Sequence, residues 1–152
     1  MSKLFQCTLT AVVLGFTSPA WGDDAKEDAD KLQGTWQATE GMSEGKPVPK
    51  EQLQGIKLVF SGEQMSLFPP DGKGKKTVEY TFRVDPGKKP KAIDLIRREG
   101  GSKGKIARAI YELDGDTLKL CLTNRLDRDR PTEFAAPEKA GLTLLTLKRV
   151  KK

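Results

Sequence analysis

Ile110-Tyr111-Glu112-Leu113-Asp114-Gly115-Asp116-Thr117-Leu118-Lys119-Leu120-Cys121-Leu122 is two alternating arms around Asp-Gly. That dipeptide between alternating apolar and polar residues is the strongest short-range signal for a tight β-hairpin. Taking Asp114-Gly115 as a two-residue type I′ loop and counting outwards sets Tyr111 opposite Leu118 and Ala109 opposite Leu120 on an apolar side. The other side then carries Glu112 with Thr117, Ile110 with Lys119 and Arg108 with Cys121, a mostly solvated surface. A three-residue bulged loop would slip one arm and turn Arg108 and Glu112 inward, at the desolvation cost of buried charge. The simple loop is therefore the expectation.

Similar arms lie on both sides of this hairpin. Upstream, residues 32–39 form a first strand anchored by Trp36, and residues 56–60 and 63–68 flank Ser61-Gly62, setting Leu58 opposite Met65 and Ile56 opposite Leu67. Residues 77–84 alternate most clearly, with Val78, Tyr80, Phe82 and Val84 inward. Residues 92–97 make a shorter strand, and residues 142–150 a last one. Residues 41–49 are a turn-rich connection, and Pro49 suits the start of one helical turn through Leu53. These eight strands, with no helix longer than a turn or two, predict an all-β domain: an eight-stranded antiparallel up-and-down barrel, or a sandwich that nearly closes. Such a barrel is either filled by side chains or holds one small ligand.

The 36% hydrophobic and 32% charged content is that of a single soluble globular domain. Lys3, the apolar run from Leu4 to Phe16 and the small residues of Ala20-Trp21-Gly22 predict a secretory signal over residues 1–22. The run is too short for a bilayer span of about 20 apolar residues, and Cys7 precedes most of it, unlike a lipidated cysteine. Residues 23–31 then read as a charged leader, a short helix or loose, and 32–152 as the barrel. Of 27 basic and 21 acidic side chains, cleavage removes only Lys3, taking the net charge from +6 to +5. It also removes Cys7, so the remaining Cys121 has no intramolecular partner and the core alone holds the fold. Cys121 reads as a small buried hydrophobe; pairing between molecules or reactivity is the alternative. Lysines at 73–76 and 88–91 read as solvated turns that protect sheet edges, or as contacts for anionic polymer or lipid headgroups.

The chain has no histidine. That excludes Ser-His-Asp and Cys-His catalysis and the usual zinc sites, and no catalytic constellation or cofactor is expected. Asp114 and Asp116 bracket a glycine; turn geometry explains Asp114, and calcium would need more oxygens than the loop supplies. Arg130 and Glu133 flank Pro131 with Phe134 behind. Arg130 either pairs with a ligand carboxylate at a barrel mouth or pins the loop as an ion pair. The candidate ligand-lining residues are Trp36, Tyr80, Phe82, Tyr111, Arg130 and Phe134, with plain core as the alternative for the inward aromatics.

Gly34-Thr35-Trp36 with Arg149 near the end of the last strand resembles the lipocalin superfamily. The resemblance implies that Trp36 closes the barrel base and that Arg149 packs over its ring as a cation–π pair. More of the chain is similar to a family of small exported, lipocalin-like domains of unknown function expanded in planctomycete bacteria. The motifs are residues 32–36, 45–49, 89–95, 110–121 and Arg130-Pro131-Thr132-Glu133-Phe134. Ala109 stands where that family leads us to expect glycine, and no catalytic role transfers. Gly34, Trp36, Asp114, Gly115 and Arg149 are the structural positions. The expected function is an exported, non-enzymatic, monomeric binding protein for a small apolar or amphipathic ligand, periplasmic or extracellular. It makes at most peripheral contact with membrane and none with nucleic acid. The alternative is a cell-envelope interaction module whose filled barrel acts through loops 69–76, 85–91 and 124–134.

Overall fold

A computed structural model describes residues 22–70 and 76–151. The expected signal segment, apart from Gly22, and the lysines at 73 and 75 lie outside the described residues. Nine strands follow in order: β1 (Gly34–Ser43), β2 (Lys46–Pro47), β3 (Lys57–Ser61), β4 (Gln64–Phe68), β5 (Val78–Asp85), β6 (Lys91–Arg97), β7 (Ile106–Asp114), β8 (Thr117–Thr123) and β9 (Leu142–Arg149). Each of β3 to β8 pairs antiparallel with its successor, β1 pairs with β3, and β1 also pairs with β9. Eight strands thus close into an all-β barrel, and β2 is a two-residue ribbon on the end of β1.

Both long hairpins turn one residue later than their sequences predict. Asp114 pairs with Thr117 across a Gly115-Asp116 loop, so Tyr111 faces Leu120 and Ile110 faces Cys121. Ser61 likewise pairs with Gln64 across Gly62-Glu63, so Phe60 faces Met65 and Leu58 faces Leu67. In each loop only the glycine has positive φ, 56° at Gly115 and 62° at Gly62. That is the sign pattern of a type II′ turn, which wants glycine first, whereas type I′ needs positive φ at both positions. Asp114 therefore ends a strand, and it is Asp116 that occupies the turn. Moving a loop by one residue moves each partner by two, so every side chain keeps its face.

β1 runs four residues beyond the expected strand. Between Ala38 and Glu40 its register against β9 shifts, leaving Thr39 as an extra residue, a β-bulge. Past the bulge Gly41 pairs with the inward Leu145. A Cβ on Gly41 would stand 3.1 Å from Leu145 and Val48 and 3.2 Å from Leu53. The bare glycine lets the second helix, α2 (Lys50–Gly55), fold over that mouth of the barrel.

The opposite end is closed by α1 (Asp23–Leu32), nearly three turns that belong to the domain rather than to a leader. Ala25, Asp28, Ala29 and Leu32 recur at the 3, 4 and 7 spacing of one helix face. Asp28, Ala29 and Leu32 are buried on the barrel and Ala25 packs against its core. Asp28 accepts hydrogen bonds from Tyr111 Oη (2.6 Å) and Lys91 Nζ (3.0 Å). Burial opposes the Asp28 charge, but those two donors outweigh it and hold its carboxyl below the usual range. Burial, and then the Asp28 carboxylate, push the Tyr111 phenol well above its ordinary value. The depressed acid contributes stability above about pH 4 that is lost as pH falls, and the raised phenol one that is lost as pH climbs past about 10. We expect unfolding followed against pH to show both declines. In Tyr111→Phe the alkaline one should vanish, the acid one shrink, and stability at pH 7 drop by about 1.5–3 kcal/mol. Unchanged profiles would refute this role for the pair.

Candidate functional site

The interior has two halves. In the half next to α1, Trp36, Phe82 and Tyr111 are each no more than 1% exposed, and Phe60 meets Phe82 edge to face at 5.0 Å between ring centres. Trp36 donates its indole N–H to the Leu32 carbonyl at 2.8 Å. The Arg149 guanidinium lies 4.3 Å from the Trp36 ring centre. Its Nη1 and Nη2 donate to the carbonyls of Gln33 and Lys31, both at 2.6 Å, and its Nε to Asp116 at 3.2 Å. Gly34, at φ 112°, turns the chain from α1 into β1, and a Cβ there would lie 3.3 Å from Arg149 Nη1. Gly34, Trp36 and Arg149 thus form one closure.

The other half opens into an apolar pocket at the mouth. A cavity of about 200 Å³ lies between Leu58, Met65, Tyr80, Leu95, Leu120 and Leu145. Ile56, next to α2, and the segment Phe68-Pro69-Pro70 form its mouth. Gln37 ties α2 in place by donating to the carbonyls of Leu53 (2.8 Å) and Ile56 (3.1 Å). The wall is hydrocarbon apart from Thr143 and the Tyr80 ring carrying its hydroxyl.

The predicted lining residues separate accordingly. Tyr80 lines the cavity, while Trp36, Phe82 and Tyr111 fill the closed half. Arg130 and Phe134 lie outside the barrel wall. Arg130 pairs with Asp94 on the outer side of β6 at 2.6 Å, not with Glu133, and donates to the carbonyls of Ile93 (3.1 Å) and Ala109 (2.8 Å). The Phe134 ring sits 5.8 Å from Lys119 Nζ on the outer side of β8. These contacts strap residues 124–141 across the outer wall, so the face expected to be solvated is partly a second buried surface.

Under the strap Ile110 and Cys121 are buried, and the Cys121 thiol donates to the Ala135 carbonyl at 3.4 Å. Burial pushes that thiol's pKa up, the opposite of what a nucleophile needs. Among the described residues no three His, Cys, Asp or Glu side chains come together as metal ligands. The cavity residues missed from sequence, chiefly Met65, Leu95, Leu120 and Leu145, carry only the inward parity they share with core. Which inward layer stays open depends on cross-strand packing. The chain was compared with family models, curated proteins and solved structures, and nothing matched.

Proposed function

We propose that this is an exported binding protein that takes the apolar part of a small molecule into the mouth-side cavity. The observation that carries the reading is the cavity itself: about 200 Å³ of leucine, methionine and tyrosine surface, backed by a packed aromatic layer. Dry apolar cavities of about 150 Å³ take up benzene, so this one suits a single ring with a short substituent or a chain of about six to eight carbons. Its wall offers shape and hydrocarbon contact with few polar groups, which supports binding rather than chemistry. The resemblance to exported lipocalin-like domains supports the same reading.

For a ligand such as 2-phenylethanol we expect a dissociation constant on the order of 0.1–1 mM, measured by ligand-observed NMR. Leu122→Trp, which places an indole in the cavity wall, should abolish binding while the far-ultraviolet circular dichroism stays native. No binding by the native protein, or equal binding by a folded Leu122→Trp variant, would overturn the reading.

A further inference from the structure

Resting on that reading, we propose that the occupant is a small carboxylate whose anionic end is held at the mouth by Arg97. The alternation that turns Ile93 and Leu95 into the barrel also brings Arg97, the last residue of β6, to the inner face at the rim. There it pairs across the sheet with Tyr80, which with Phe68 supplies the aromatic lining of the cavity, while Arg97 itself stands just outside that lining. The Arg97 guanidinium lies over that ring, 5.6 Å from its centre. It is half-buried, and no carboxylate or carbonyl among the described residues accepts from its side chain.

The contrast with the other arginines of known role is informative. Arg130 and Arg149 each satisfy their fork with two carbonyls and a carboxylate. Arg97 keeps its five donors with only a ring beneath them, a geometry suited to a planar carboxylate arriving from outside. The polar groups on the opposite rim are already committed to one another. Ser43 and Thr143 hydroxyls lie 3.2 Å apart, Thr143 Oγ1 donates to Asn124 Oδ1 at 2.5 Å, and Asn124 Nδ2 donates to Glu44 Oε1 at 3.2 Å. Glu44 would also repel an anion, so the charged end belongs on the Arg97 side. The ligand class is therefore a single ring or short chain ending in a carboxylate.

The test compares phenylacetate with 2-phenylethanol, which differ only at the polar end, on the native protein and on Arg97→Gln and Arg97→Lys at fixed ionic strength. We expect the native protein to hold phenylacetate roughly tenfold or more tighter than the alcohol, the worth of a charged hydrogen-bonded contact. Arg97→Gln should erase that preference, weakening phenylacetate far more than the alcohol, and Arg97→Lys should keep part of it. Equal affinity for the two ligands in the native protein, or a preference that survives in Arg97→Gln, overturns the carboxylate proposal and leaves the cavity reading standing. Failure of both ligands to bind overturns the two together.

Discussion

Replacing Trp36 by alanine should lower the unfolding free energy by about 3–5 kcal/mol, the usual cost of emptying a fully buried indole. Domains of this kind have only about 5–15 kcal/mol in total, so the variant should be marginal at room temperature. Three contacts fail together: the ring's fit in the closed half, its N–H bond to Leu32, and the surface on which Arg149 lies. Urea unfolding followed by circular dichroism measures the loss. Trp36→Phe should recover much of it, because a ring still supports the guanidinium, leaving the indole N–H contact and the volume of the lost second ring as the deficit. A loss below about 1 kcal/mol for Trp36→Ala would show that α1 and Arg149 close the barrel without the indole.

The second large effect is expected from one added methyl group. A Cβ on Gly55 would lie 1.9 Å from the Pro70 carbonyl oxygen and 2.5 Å from its carbon, both backbone atoms. No rotamer change relieves that clash, so α2 and the segment 68–70 must separate. Overpacking of this sort costs about 1–3 kcal/mol, and the upper end is expected where backbone must move. Gly55→Ala should therefore lower thermal stability and speed tryptic cleavage after Lys50 and Lys57, the lysines that bracket α2. Gly62→Ala is the contrasting case. Its Cβ meets nothing within 4 Å, and only the left-handed φ of 62° penalises it, by about 1–2 kcal/mol. Unchanged cleavage in Gly55→Ala would mean that the mouth can yield at no cost.

What the sequence made legible was parity. Alternation in residues 78–84 put Tyr80, Phe82 and Val84 inside, where they are, because period-two patterning reports faces directly. Turn placement was less legible. Asp-Gly and Ser-Gly look like the loop itself, yet in both hairpins glycine takes the first loop position and the preceding residue still pairs. The face assignments survived because the error was even-numbered. The packed face of α1, Ala25, Asp28, Ala29 and Leu32, was not legible, because a buried aspartate breaks the apolar stripe that marks a helix face and residues 23–31 read only as a charged leader. The partners of Asp28 are 63 and 83 residues away, so its burial could not be read locally. The strap was half legible: of the two readings of Arg130 the ion pair that pins the loop is the one that holds, but its acceptors, Ile93, Asp94 and Ala109, belong to other strands and could not be named locally.

The pairing of β1 with β9 has a kinetic side. Trp36 and Arg149 are register partners, and the contact that seals the barrel joins one of its first strands to its last. Neighbouring hairpins can form as soon as their own residues exist, but the ring stays open until residues 142–149 arrive. Contacts of such long sequence separation are entropically expensive to bring together and slow the approach to the native state. Before that moment β1 and β8 each present an unpaired edge, the arrangement most open to pairing with another chain. Fold completion is therefore a single late event, and a nascent chain arrested before β9 should be held as a meander of hairpins without a sealed interior.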